Sequence, residues 1–361
     1  MKFDIGGGQG LRSNVGISYQ IPEPLPRGLH PGVMPLDFGS VREEVAACQL
    51  ATALFDYSFL LRLIVCGPDA ILGVSEICGR DFSDLGIGAI RYALMSDPDG
   101  WLVSDLTVWR SAKDKLEILS GRAEDIPYIR KALASYNLKT LDVSDQTAVL
   151  ALQGPKTNRI FSSNLELINV ANIPYFGFRD LELCGVACRV GRLGYTGLDG
   201  VEILCTAKDA KQLWKLLSLH ARPAGFCAAN FLRLKAGLPL FAHEFKPPVS
   251  AADIGLKRVR PHGKLFADQK PPRVSRVCFS FHILIEHGGE EQDILDILWT
   301  PEEEFPPEPG TLAVTSISRD LAPDRQIGMG YVVPNEKGKN LARSSEFIKD
   351  IRITREFINF Y

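Results

Sequence analysis

Two carboxylates stand where carboxylates are costly. In WLVSDLTVWR, residues 101–110, strand alternation puts Trp101, Val103, Asp105, Thr107 and Trp109 on one face and Leu102, Ser104, Leu106 and Val108 on the other. Both faces are largely apolar, the pattern of a strand buried on both sides. Asp105 then needs a specific partner, either a cation such as Arg62 or Arg91 or a ligand met in a pocket. In GRLGYTGLDGVEI, residues 191–203, the closing run is also a strand, with Glu202 and Leu204 on one face and Val201 and Ile203 on the other. Taken alone, that strand favours an open, solvated face for Glu202, with a dedicated partner as the alternative.

The glycines before Glu202 raise a second possibility. A phosphate loop needs GxxxxGK[ST], and a dinucleotide fingerprint needs GxGxxG between a strand and a helix. Here Gly194, Gly197 and Gly200 give GxxGxxG, no Lys-Ser follows, and a strand comes next. Phosphate binding is a poor reading. A tight hairpin turn explains the glycines, with Asp199-Gly200 expected at positive φ.

The elements that must hold these residues are those of an ordinary globular chain. Lys and Arg total 41 against 43 Asp and Glu in 361 residues, so no net field draws the chain to nucleic acid or an anionic membrane. MKFDIGGGQG lacks the basic and apolar regions of a secretory signal. No apolar run reaches the ~20 residues needed to span a bilayer. Cys48, Cys66, Cys78, Cys184, Cys188, Cys205, Cys227 and Cys278 form no CxxC pair, no histidines sit at metal-ligand spacing, and no metal is expected. They read as buried thiols of a reducing compartment, as in Ile64-Val65-Cys66 and Ile203-Leu204-Cys205, which implies a cytoplasmic protein.

Residues 1–40 are rich in Gly and Pro and read as an extended lead-in. LLRLIVCG, WLVSDLTVWR, KLEILSG and TAVLALQGP read as strands, and DAILGVSEICG as a short helix. EDIPYIRKALASYNL is helical with Ile126, Ile129 and Leu133 on one face. AKDAKQLWKLLSLH is helical, with Leu213, Leu216, Leu217 and Leu219 toward the core, and AANFLRLKAG continues as helix to Gly237. Beyond residue 250 the helical patterns fade. The acidic, proline-rich 285–310 stretch reads as a solvated loop, and TLAVTSI, IGMGYVV and IRITREFINF read as strands. The expected class is α+β, a large unit over 41–255 followed by a smaller, mainly β domain over 256–361.

Five segments in order resemble the folate-dependent aminomethyltransferase family, whose type member is the T-protein of the glycine cleavage system. Ala53-Leu54-Phe55-Asp56-Tyr57-Ser58 resembles G-[LM]-F-D-V-S, and Asp99 to Leu106 resembles the G-G-x-x-D-D-L strand. Leu152-Gln153-Gly154-Pro155 matches L-Q-G-P. Gly194 to Ile203 resembles G-Y-T-G-E-x-G-[FY]-E. Leu232 to Leu240 resembles L-R-L-E-A-G-L-x-L, with Ala242-His243-Glu244 in place of G-[HQ]-[ED]. The resemblance implies a three-domain fold around a folate pocket, with two interleaved α+β subdomains over 41–255 and a divergent β-barrel-like domain over 256–361.

The same resemblance implies roles. A pterin edge presents two adjacent N–H donors that a carboxylate accepts as a fork, and Glu202 holds that position. Asp105 matches the second of the family's paired aspartates, beside the nitrogens where the one-carbon unit is exchanged, where it can orient an amine, take its proton or stabilise positive charge. Tyr92, Tyr175 and Tyr195 match positions that line the rings. The implied co-substrate is tetrahydrofolate, and the implied partners are a small-molecule one-carbon donor and either a lipoyl carrier protein or a separate oxidase subunit. Departures concern the donor: Ser104 replaces the first aspartate, Leu198 and Lys235 replace glutamates, Ala228-Ala229-Asn230 replaces A-R-D, and Ala187 replaces an acidic residue. Three readings stay open: an aminomethyl transferase, a demethylase of a methylated amine, sulfur or aryl ether compound, and a folate-binding protein without catalysis or within an amine oxidase system.

Overall fold

The computed structural model describes residues 35–164, 172–256, 272–283, 298–318, 326–333 and 348–356. The lead-in over 1–34, the first part of the acidic stretch and the final residues 357–361 lie outside them. The described residues form three sheets, one of six strands, one of five and one of four.

The chain opens the first sheet, leaves it, and returns. Helix α1 (Val41–Leu50) starts at Ser40, whose hydroxyl accepts the Glu43 amide at 3.4 Å, and leads into β1 (Ala53–Asp56). The next five strands build the second sheet: β2 (Leu61–Cys66), β3 (Ile90–Ser96), β4 (Leu102–Ala112), β5 (Lys115–Ser120) and β6 (Lys139–Asp142), in the order β3-β4-β5-β2-β6. Helix α2 (Ala70–Cys78), closed by the left-handed Gly79, and α3 (Asp125–Ala132) cover its outer face. Ile126, Ile129 and Leu133 are buried there, as their spacing requires.

Strand β7 (Thr147–Gln153) goes back to the first sheet and pairs antiparallel with β1. After α4 (Thr157–Asn164), strands β8 (Phe178–Leu183), β9 (Val186–Gly191) and β10 (Gly200–Thr206) extend that sheet, and β10 pairs with both β7 and β9. Helix α5 (Ala210–Leu217) seals one face with Leu213, Trp214 and Leu217, whereas Leu219 lies beyond its last turn and is 74% exposed. The helical pattern is not continuous after α5. A two-residue strand, β11 (Arg222–Pro223), pairs parallel with β1 before α6 (Phe226–Ala236) begins. Gly237, in the left-handed conformation, ends α6 as its position in the sequence predicts.

A short helix, α7 (Phe241–Glu244), leads to the third sheet: β12 (Ser275–Ile283), β13 (Leu312–Ser318), β14 (Gln326–Val332) and β15 (Ile348–Glu356), in the order β13-β14-β12-β15. The described end of the acidic stretch is anchored: Leu298 and Trp299 are buried, and Phe305 packs edge-on against Tyr331.

Two cores meet in the middle of the molecule. The inner face of the first sheet packs on Ile90, Trp109 and Leu119 of the second, with α1 and α6 closing the flanks. Further along the same face of the β3–β4 hairpin, Tyr92 and Leu94 pack into a cluster with Trp299, Ala313 and Tyr331 of the third unit. The seam between sheets therefore runs along one face of β4. Of the cysteines, Cys48, Cys78, Cys188, Cys205 and Cys278 are buried and Cys227 is half-buried, but Cys184 is exposed, and so is Cys66, expected among its apolar neighbours, at the end of β2.

Candidate functional site

Glu202 sits in the inner face, not in solvent. Strand register puts it in a row running Phe55, Ala151, Glu202, Gly191 and Phe178 across β1, β7, β10, β9 and β8. Its neighbours in the row, Ala151 and Gly191, leave room above the sheet. Trp109 uses part of that room: a Cβ on Gly191 would lie 2.3 Å from its ring, which also packs on Phe178 at 5.3 Å. Strand alternation placed Glu202 and Leu204 together correctly, but it could not show that a second sheet covers that face. Glu202 is 7% exposed and has no hydrogen bond or ion pair among the described residues. Burial alone pushes its carboxyl up to about 7.

The glycines ahead of Glu202 answer to Gln153. That side chain is fully buried; its amide donates to the carbonyls of Leu193 at 3.1 Å and Val201 at 3.4 Å and accepts from the Thr196 hydroxyl at 3.0 Å. A Cβ on Gly194 would fall 1.8 Å from its Oε1, and one on Gly200 would fall 2.5 Å from the Leu152 carbonyl. The positive φ expected at Asp199-Gly200 occurs instead at Gly197, at 70°. Asp199 grips Arg192 through both oxygens, at 3.0 and 2.9 Å. The L-Q-G-P and G-Y-T-G segments are thus two halves of one packed turn.

Asp105 faces the same seam from β4. Its face is only partly closed, with Val103, Asp105 and Thr107 half-buried while Leu102, Ser104, Leu106 and Val108 are buried. The strand is therefore not buried equally on both sides as its composition suggests. Neither arginine considered as a partner reaches Asp105: Arg62 pairs with Glu117 at 2.5 Å and Arg91 with Asp84 at 2.6 Å. The Tyr92 hydroxyl donates to Asp105 at 2.8 Å instead. Desolvation pushes the Asp105 carboxyl up to about 6, against the Tyr92 hydrogen bond, and the charges of Asp125 and Glu244 push the same way as burial. Ser104 points to the opposite side, where its hydroxyl donates to the buried Asp125.

Tyr195 connects the two ends of the seam. Its hydroxyl donates to the Pro239 carbonyl at 2.5 Å, and its phenol lies within electrostatic range of Asp105, Tyr92 and Tyr57. Along β4, Asp105 is four residues from Trp109, about 13 Å of strand, so the two carboxylates stand at opposite ends of one seam. Tyr175 is not brought inside. It lies in the turn before β8, 64% exposed, with its ring edge-on to Phe176 at 5.0 Å.

Sequence reasoning missed a buried polar cluster on the third-sheet side of the seam. Arg233 and Glu244, both fully buried, pair at 2.5 Å, and Glu244 also accepts from Thr315, Ser316 and the Leu240 amide. Arg233 is steadied by Asn230, whose Oδ1 accepts from its Nε at 2.9 Å. Lys235, on the same helix, is exposed. His243 sets Nδ1 3.0 Å from the Ser316 hydroxyl, and burial pushes its pKa down to about 4, so the ring is neutral at pH 7. It lines a small cavity with Ala242, Lys246 and Trp299, apart from the two carboxylates. The signal available was the motif Ala242-His243-Glu244, which marks residues but not their burial. Among the described residues there is no cluster able to hold a metal ion, and no helix long and apolar enough to cross a membrane.

The sequence and the fold place the chain in a known family. The sequence matches the GCVT N-terminal domain over residues 19–261, and the chain belongs to that family. Similar proteins include the aminomethyltransferases of Thermotoga petrophila, 31% identical over 234 residues covering 63% of this chain and 64% of that protein, and of Moorella thermoacetica, 32% identical with the same coverage. That of Geobacillus kaustophilus is 33% identical over 232 residues, covering 62% of this chain and 63% of that one. The match thus spans less than two thirds of each relative's length. The fold is that of the glycine cleavage system aminomethyltransferase T from Bartonella henselae, with a TM-score of 0.68, 23% identity, and coverage of 84% of this chain and 85% of that one.

Proposed function

We propose that this chain binds tetrahydrofolate along the seam and moves a one-carbon unit onto it from a small amine or methylated donor, in the manner of an aminomethyltransferase. One observation carries the reading: Glu202 and Asp105, two carboxylates of raised pKa, face one seam between sheets, and Glu202 has no partner among the described residues. An orphaned buried carboxylate suits a ligand with paired N–H donors, and the pterin edge has them. The residues present therefore fit the group the family implies. Tetrahydrofolate, when bound, supplies the amine nitrogens that accept the one-carbon unit.

The chain's own residues then divide the work. Glu202 accepts two hydrogen bonds and fixes the heterocycle's rotation. Trp109 and Phe178 wall the row beside it and exclude water. Asp105, with a pKa of about 6, is mostly ionised at pH 7, where it can hold a proton from an amine or face a developing positive charge. Tyr92 fixes one Asp105 oxygen by its hydroxyl. Tyr195 separates the two carboxylates and keeps the seam narrow.

Demethylation of a methylated amine, sulfur or aryl ether compound is the second reading, favoured by the strand beside Asp105. Where the family pattern has a paired aspartate, Ser104 stands, its hydroxyl donating to Asp125 on the face away from the seam, so β4 carries one carboxylate where the pattern carries two. A lipoyl carrier protein or an oxidase subunit would be the macromolecular partner of the first reading and of a third, in which the chain serves an oxidase system.

The test is titration of the protein with tetrahydrofolate, for the wild type, Glu202→Gln and Asp105→Asn. Wild type should bind, Glu202→Gln should bind at least tenfold more weakly, and Asp105→Asn should bind nearly normally but fail in turnover once a donor is found. Absence of binding by the wild type would end the reading. A screen of methylated amines, sulfonium compounds and methoxyaromatics would then separate the first two readings.

A further inference from the structure

One polar group in the seam has no task in the account above. Tyr57 is 4% exposed, and its hydroxyl has no hydrogen-bond partner among the described residues. A buried phenol nearly always finds a partner, because an unmade hydrogen bond is costly. Tyr57 stands where the pattern G-[LM]-F-D-V-S that this segment resembles has valine, a side chain with no hydroxyl.

Register places the ring on the same sheet face as Glu202, two strands across and one row along. Tyr57 follows β1 and donates its amide to the Val149 carbonyl, which aligns it with Val149 and Leu204, one row of side chains along from Phe55, Ala151 and Glu202. All of these project from the inner face of the first sheet, into the same cluster as Trp109 and Phe178. Tyr57 stacks on Phe55 at 5.6 Å and meets Phe59 edge-on at 5.9 Å, so its ring is fixed between two aromatics. Burial pushes the phenol's pKa up, and the ring lies within electrostatic range of Glu202, Cys48 and Tyr195, which push the same way. Two unpartnered polar groups thus share one water-poor surface, an acceptor pair on Glu202 and a donor on Tyr57.

We propose that Tyr57 and Glu202 together read a donor–donor–acceptor edge, with the Tyr57 hydroxyl donating to a ring carbonyl next to the two N–H groups that Glu202 accepts. A 2-amino-4-oxopyrimidine ring is the class of ligand with that edge. This rests on the folate reading above and sharpens it: the chain selects the 4-oxo form of the heterocycle by a contact that valine could not make. Replacing the carbonyl by an amino group sets a donor against the Tyr57 donor and also turns the ring N3–H that Glu202 accepts into an acceptor nitrogen, so both contacts are spoiled, and a buried clash of like groups is punished more than a missing bond.

The experiment is a binding titration of wild type, Tyr57→Phe, Tyr57→Val and Glu202→Gln with tetrahydrofolate and with its 2,4-diamino counterpart, read by fluorescence or calorimetry. Wild type should favour the 4-oxo ligand. Tyr57→Phe and Tyr57→Val should each weaken the 4-oxo ligand roughly fivefold to tenfold, the worth of one neutral hydrogen bond, and leave the diamino ligand unchanged or tighter, so that the preference narrows by at least that factor and the share set by Glu202 remains. Tyr57→Phe removes only an unpartnered hydroxyl, so thermal unfolding should show it at least as stable as wild type. If Glu202→Gln abolishes binding while both Tyr57 variants keep the wild-type affinity and preference, the Tyr57 contact is wrong and the folate reading stands. If wild type binds neither ligand, both are overturned.

Discussion

Glu202→Gln removes a buried charge and keeps the length and shape of the side chain. Burial raises the Glu202 carboxyl from 4.5 to about 7 in the folded protein. Between those values the folded state holds a proton that the unfolded state has lost, so stability falls as pH rises through this window and stays low above it. The full shift corresponds to about 3 kcal/mol, approached near pH 8, and to about 1 kcal/mol at pH 5. Glutamine escapes this penalty at every pH. The variant should therefore gain on wild type by about 2 kcal/mol more at pH 8 than at pH 5, measured by urea unfolding at both pH values. The same substitution should weaken ligand binding at least tenfold, because the amide sets an NH2 donor against one of the two N–H groups that a carboxylate accepts as a fork. A variant whose advantage does not grow with pH would refute the reasoning, since it would mean that Glu202 is not held as an uncompensated carboxylate inside the seam.

Two further predictions concern the scaffold. Tyr92→Phe removes the hydrogen bond that holds the Asp105 pKa down against burial. The acidic limb of a kcat/KM–pH profile, expected near pH 6 in the wild type, should then move to higher pH, with activity lost at pH 6 and regained by pH 8. Gly194→Ala puts a methyl group into the Gln153 amide and should destabilise the protein by about 1–3 kcal/mol. Adding Gln153→Ala should relieve that clash, so the double variant should lose less than the sum of the single losses; additive losses in urea unfolding would show that the turn is not built around Gln153.

The strand and helix plan was legible because burial follows period. Ile126, Ile129 and Leu133 recur at helical spacing and are buried together, and Gly237 ends its helix where a residue without Cβ can turn left-handed. Departures arose where the answer lay in another part of the chain. Alternation in β10 grouped Glu202 with Leu204, yet only the return of the chain through the second sheet covers that face. The partner of Asp105 is Tyr92, on the adjacent strand of the same hairpin, and not an arginine, because both arginines are engaged by nearer carboxylates. The Arg233–Glu244 pair was hidden for the same reason. Its two charges stand 11 residues apart on separate helices, α6 and α7, and the Thr315 and Ser316 hydroxyls that complete the cluster come from a strand some 70 residues later. The glycines of the 191–203 stretch marked a tight turn correctly, but the side chain that Gly194 and Gly200 make room for belongs to Gln153, in a different motif, while Gly197 makes room for Ala236.

The central claim is that Glu202 meets its ligand as a carboxylate, and proton linkage tests it most directly. With a pKa of about 7 in the free protein, Glu202 is half protonated at pH 7. Binding that requires the ionised form must expel that share. Calorimetric titration with tetrahydrofolate at pH 7, in buffers of differing ionisation enthalpy, should show release of about half a proton per ligand, falling toward zero by pH 8.5. Saturable binding without proton release, or Glu202→Gln binding as tightly as wild type, would contradict the account.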